Sequence, residues 1–237
     1  MNALYLAASG AASQLAGLGI AASNLANLAT PGFRRLLNIV QSVGGNGSPF
    51  QYAASDATPP LDLTQGPINS TGNPLDVAVS GPAFITVQSP QGPAYTRNGQ
   101  LQLAPDGTLL AAGLPIESAG GGGPIKLPAG QITIATDGSI SVNGAPAAKI
   151  ALADPAAVTL TPLGGGLYGA AGGAALPPAT GTASQLYQGF LEASAGSAVG
   201  GMVSLMNVSR SYEAAMNSVK AIDENSNRAI QAFTLTA

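Results

Sequence analysis

MNALYLAASGAASQLAGLGIAASNLANLAT, residues 1–30, holds no charged side chain, and its apolar residues repeat in heptads. Leu4, Ala8, Ala11, Leu15, Leu18, Ala22, Leu25 and Ala29 alternate steps of four and three, the a/d spacing of a helix that lies against another helix. Thr30-Pro31-Gly32 stops the run, because proline disfavours the α conformation in the residue before it and glycine readily ends a helix. A comparable stripe occurs at the other end of the chain. From about Ser197, residues Leu205, Val208, Tyr212, Ala215, Val219, Ile222, Ser226, Ala229 and Phe233 repeat in the same way. The two stripes predict an α+β chain: long N- and C-terminal helices packed as a coiled-coil-like pair, with an antiparallel β-rich domain inserted between them. Such a chain brings its termini together and extrudes its middle as a separate body.

The middle reads as strands and turns. Leu75–Val79 alternates, and Ala83–Gln88 follows Gly81-Pro82. Tyr95–Arg97 and Leu101–Leu103 flank Asn98-Gly99, a dipeptide that favours a tight hairpin. Pro105-Asp106-Gly107, Asp137-Gly138 and Asn143-Gly144 mark further turns between short apolar runs, which suggests a sandwich or barrel-like body. The expected division is 1–35 and 192–237 as the helical domain and 36–74 as a connection. Residues 75–163 form the β domain, and the Gly/Ala/Pro-rich 164–191 the return path. Arg34-Arg35 reads as a solvated pair.

Composition narrows the function. The 237 residues hold 8 Lys+Arg against 11 Asp+Glu, only 8% charged, where about a quarter is usual. So sparse a surface suits a subunit buried among neighbours, and a small negative net charge argues against nucleic acid. The absence of cysteine excludes disulfides and thiolate metal sites, and the absence of histidine removes the commonest general base and zinc ligand. Asp106 and Asp137 sit in Asp-Gly turns, where aspartate serves the backbone. Gly120–Gly123 and Gly164–Gly166 lack the lysine of a phosphate loop. No catalytic, cofactor or metal site is expected. Amides on the helices, Asn24 and Asn27 among them, are candidates for fixing helix register.

Three motif groups resemble one family. Ala22–Arg34 (ASNLANLATPGFR) is similar to the N-terminal signature of flagellar basal-body rod and hook proteins. Gln188–Ser194, Met202-Val203 and Arg210–Ala214 resemble its C-terminal portion, and Gly72–Val79, Ala94–Gly99 and Asp106-Gly107 its middle. Within the family the length and middle look most like proximal rod subunits, with distal rod subunits as the near alternative. The resemblance implies a non-enzymatic axial subunit of the periplasm-spanning rod, exported by the flagellar type III apparatus without a cleaved signal. Its implied partners are copies of itself and other proximal and distal rod subunits, with no nucleic acid, small-molecule substrate or cofactor. The expected assembly interface is Leu4, Leu15, Leu18, Asn24, Leu25, Asn27, Thr30, Gly32 and Phe33 at the front. At the back it is Met202, Leu205, Arg210, Tyr212, Glu213, Val219 and Ile222. A different class stays open, a secreted β-rich adhesin or glycan-binding protein acting through residues 70–165. So does a membrane anchor in the first 30 residues, although Ser9, Ser13, Gln14, Ser23, Asn24 and Asn27 interrupt that run.

Overall fold

The computed structural model describes residues 2–38, 42–43, 51–52, 59–155, 158–179 and 183–234. The chain divides into two compact units. The first is Met1–Ala26, Leu36–Pro59 and Ser197–Ala237; the second is Asn27–Arg35 and Pro60–Gly196.

The helical unit contains α1, Asn2–Ala26, and α2, Ala198–Thr234. They touch, but the expected coiled-coil-like pair is not what forms. Of the predicted seam on α1, Ala8, Leu15 and Ala22 are exposed, and the buried residues are Ala11, Gly17 and Ala21. Ala11 is on the heptad stripe, but from there the inward line leaves it for Gly17 and Ala21, among the smallest residues of the helix, with Leu18 and Leu25 only half-buried. Gly17 shows why: a Cβ there would press on the Asn38 amide and lie 3.6 Å from Val208. Close approach over glycine and alanine replaces the large knobs that a heptad seam interlocks. On α2, Leu205, Val208, Tyr212, Ala215, Val219 and Ile222 are half-buried, and none of its described side chains is fully buried. The Ser226 hydroxyl turns back to donate to the Ile222 carbonyl at 2.9 Å. The side chains of Leu4, Ala229 and Phe233 lie outside the described residues. Among the described residues the architecture is α+β: two α-helices in one unit and a large antiparallel β-rich body in the other. Among the described residues no helix is long and apolar enough to cross a membrane.

The β unit is a set of small antiparallel sheets sharing one core. The largest has five strands in the order Leu152–Ala153, Phe84–Ser89, Gly92–Thr96, Leu167–Ala170, Leu160–Gly164. Side chains alternate across a strand, so Ile85 and Val87 enter the main core with Val77, Val79, Leu109, Ile116 and Ile140. Phe84 and Tyr95 face the other way, into a smaller cluster with Leu160, Tyr168 and Leu176. Two three-stranded sheets complete the body, Leu101–Leu103 with Leu109–Ala111 and Leu114–Pro115, and Ile132–Ile134 with Ser139–Val142 and Ala145–Lys149. The C-terminal strands pair far back along the chain. Gln185–Gln188 joins Val77–Ser80, and Phe190–Glu192 joins Ile68–Ser70.

The aspartate turns form as read. Asp137 accepts from the Ser139 amide at 3.0 Å and its hydroxyl at 2.8 Å, and Asp106 holds Thr108 likewise. Asn98-Gly99 is different. Gly92–Thr96 hairpins with Phe84–Ser89, and Leu101–Leu103 with Leu109–Ala111, so Asn98-Gly99 carries the chain between sheets. There Gly99 is buried against the Val77 carbonyl, and the Val77 amide donates to the Gly99 carbonyl at 2.9 Å. The dipeptide's local preference is overridden by that long-range contact. Part of the predicted return path, Leu167–Ala170, is an inner strand of the five-stranded sheet, because Leu167 and Tyr168 pair with Thr96 and Tyr95.

Candidate functional site: helix faces and a buried charge junction

The front candidates fall in both units. On α1, Leu15 is 53% exposed while Leu18, Asn24 and Leu25 are half-buried. Asn24 fixes the chain beyond the helix: its amide nitrogen donates to the Leu36 carbonyl and its oxygen accepts from the Leu36 amide, both at 2.9 Å. Asn27, Thr30, Gly32 and Phe33 belong to the β unit, with Gly32 and Phe33 buried.

On α2, Leu205, Tyr212, Val219 and Ile222 lie on the half-buried side, while Met202, Arg210 and Glu213 are exposed. Met202 is one of a set. Val199, Met202, Val203 and Met206 are 72%, 55%, 45% and 53% exposed and follow the i, i+3, i+4, i+7 spacing of one helix face. The first twelve residues of α2, Ala198–Ser209, carry no charge, and its charged residues begin at Arg210. α1 carries none at all.

Sequence reasoning missed the centre of the β unit. Arg34 is not solvated; it is 1% exposed. Its Nη1 lies 2.8 Å from Glu192 Oε1 and donates to the Thr64 carbonyl at 2.6 Å. Arg97 Nη1 reaches Glu192 Oε2 at 3.0 Å and the Val79 carbonyl at 3.1 Å, and its Nη2 donates to the Gly81 carbonyl. The Arg97 guanidinium also stands 5.0 Å over the Phe84 ring. Glu192 Oε1 accepts in addition from the Gly66 amide at 2.9 Å. The Arg34 backbone amide donates to the Tyr168 hydroxyl at 2.7 Å, and the Gly32 amide to the Glu192 carbonyl at 2.8 Å. One carboxylate thus ties together three segments remote in sequence.

The junction is costly as well as specific. It buries two cations against one anion, and Arg34 Nε, Arg34 Nη2 and Arg97 Nε have no hydrogen-bond partner among the described residues. Burial, reinforced by the Arg34 charge, lowers Arg97 to about 10 against the attraction of Glu192. Burial also raises the Tyr168 phenol. A signal was present in the sequence. In a chain so poor in charge, Arg34, Arg97 and Glu192 each stand within one of the quoted motifs.

Outside the junction, Arg35 is exposed and pairs with Asp62 at 2.7 Å. Hydrogen bonds from Thr64, then from Arg35, hold the Asp62 carboxyl at about 2. A carboxyl lowered in the folded state contributes stability above its unfolded value of roughly 4, lost as pH falls through 2. Urea midpoints measured between these pH values are expected to fall less steeply for Asp62→Asn than for the parent chain.

Among the described residues no group of three or more potential metal ligands occurs. Three family models match the chain. "Flagella basal body rod protein" matches residues 4–34, "Flagellar hook protein FlgE/F/G D1 domain" 78–142, and "Flagellar basal body rod FlgEFG protein C-terminal" 187–232. Each segment contributes one member of the buried junction: Arg34, Arg97 and Glu192. The flagellar basal-body rod protein FlgF of Salmonella typhimurium is 39% identical over 130 residues, 54% of this chain and 51% of that protein. The FlgF protein of Escherichia coli gives the same figures. The chain therefore spans about half the length of these two relatives. The FlgF protein of Caulobacter vibrioides is 31% identical over 241 residues, 97% of each chain. With relatedness running through both helices and the β unit alike, the chain belongs to the FlgF family of flagellar basal-body rod proteins.

Proposed function

We propose that the chain is a structural subunit of the bacterial flagellar basal-body rod, of the proximal, FlgF-like kind, and that it catalyses no reaction. Its terminal helices assemble with copies of itself and with other axial proteins, and the flagellar type III apparatus exports it to that place. The observation that carries this reading is the uncharged surface left on both helices. α1 exposes Ala8, Leu15 and Ala22, and α2 exposes the Val199–Met206 ridge, and none of the described residues covers them. Helices with so little fully buried surface take most of their stability from packing, which neighbouring subunits would supply. Contacts between unlike faces propagate into helical assemblies when they do not close into a ring. The front interface comprises Leu4, Leu15, Leu18, Asn24, Leu25, Asn27 and Thr30; Gly32 and Phe33 are buried within the β unit and take no direct part. The back interface comprises Met202, Leu205, Arg210, Tyr212, Glu213, Val219 and Ile222.

The test separates assembly from folding. Met202→Asp with Met206→Asp places two charges on a face exposed in the lone chain, where substitutions cost little stability. The variant is expected to unfold in urea within about 0.5 kcal/mol of the parent yet to fail to restore swimming, or to appear in isolated basal bodies, in cells lacking the native protein. Normal incorporation of the double variant would sink the proposal.

A further inference from the structure

Among the described residues the second face of the five-stranded sheet is only partly covered. At its Phe84 end the smaller cluster closes over it. At the other end Thr86 and Gln88, paired with Tyr95 and Pro93, line a cavity of about 840 Å³. Its walls are small and mostly apolar, Ala119–Gly121 on one side and Ala151, Leu176 and Pro178 on others. That volume lies within the roughly 300–1,000 Å³ of clefts that hold small ligands.

Among the described residues three charged ones line the cavity, Glu117, Asp137 and Lys149. Two of them neutralise each other: Lys149 Nζ is 3.1 Å from Asp137 Oδ2. Asp137 is further held at about 2 by the Ser139 amide and hydroxyl and by Lys149. Glu117 is left over. Its amide donates to the Thr86 carbonyl at 2.9 Å and its carbonyl accepts from the Ala151 amide at 3.0 Å, so its backbone is committed. Its neighbour Ile116 enters the main core, and alternation sends the Glu117 side chain to the opposite, cavity face. Among the described residues its carboxylate has no hydrogen-bond or ion-pair partner. A carboxylate in a concave, low-dielectric wall concentrates counter-charge.

We propose that this cavity receives one lysine or arginine side chain of a partner polypeptide, its apolar stem along the alanine and proline walls and its charge on Glu117. Long basic side chains are suited to this, since the stem covers apolar surface while the head finds a polar partner. The cavity is lined by none of the helix residues of the assembly proposal, so it can fail while that proposal holds.

The probe is N-acetyl-arginine amide added to the isotope-labelled full chain, followed by amide resonances. Saturable shifts at Thr86 and Glu117–Ala119 in the millimolar range are expected. The neutral isostere N-acetyl-citrulline amide should bind at least about tenfold more weakly. Glu117→Gln keeps both backbone bonds and should weaken the arginine probe to the same degree, with resonances away from the cavity unmoved. No saturable shift with the arginine probe would overturn the proposal, and so would equal binding of the citrulline probe to the unaltered chain. An undiminished response in Glu117→Gln would overturn the role of Glu117 and with it the proposal.

Discussion

Glu192→Gln will destabilise the β unit by about 3–5 kcal/mol, the cost of removing one partner from a buried ion pair. The mutant amide is neutral and leaves Arg34 and Arg97 facing each other without counter-charge, both already short of hydrogen-bond acceptors. Against a total stability of 5–15 kcal/mol for a typical domain, the loss is a large fraction. Urea unfolding followed by circular dichroism or tyrosine fluorescence measures it, the chain having six tyrosines and no tryptophan. Because the pair is buried, added salt should change the difference little. Glu224→Gln is the comparison. Its partner Arg228 lies 3.7 Å away with both side chains exposed, and such a helical pair contributes only about 0.2–0.5 kcal/mol. Combining Arg34→Met with Glu192→Gln should cost clearly less than the sum of the two single changes, since both act on one network. Additive costs would mean the junction does not act as a unit.

Gly32→Ala is the second large effect. Gly32 has φ +67°, and a Cβ there would run into the carbonyl and Cβ of Arg97. The left-handed conformation alone costs an alanine about 1–2 kcal/mol, and forcing atoms into a filled interior adds about 1–3 more. The backbone at this point cannot retreat without breaking the bond from the Gly32 amide to Glu192. Gly72 isolates the first contribution: its φ is +72°, and nothing lies within 4 Å of a Cβ built on it. Gly72→Ala should therefore cost about 1–2 kcal/mol, and Gly32→Ala about twice that or more, as read from urea midpoints. Equal costs would show that the Arg97 backbone yields freely.

Much of this protein was legible in order along the chain. The uncharged run before Thr30-Pro31-Gly32 and the late repeat from Leu205 announce two helices, because 3.6-residue periodicity is a local property. The Asp-Gly turns at 106 and 137 form with their Ser and Thr partners two residues on. The family resemblance was carried by the same local motifs.

What stayed illegible depends on who meets whom. A heptad reading assigns Ala8, Ala11, Leu15 and Ala22 to the inside of α1, yet of these only Ala11 is buried, and close approach over Gly17 brings Ala21 inward instead of Leu15 and Ala22. Asn98-Gly99 has the composition of a hairpin, but Val77, 22 residues earlier by simple numbering (99 − 77), decides what it does. Arg34 reads as solvated because charge is expensive to bury. Only the arrival of Glu192, across 158 positions (192 − 34), makes burial tolerable. Periodicity and turn chemistry act within a few residues and survive in the sequence alone. The seam, the crossing and the buried charges are set by long-range contacts, whose energies exist only once the chain has closed on itself.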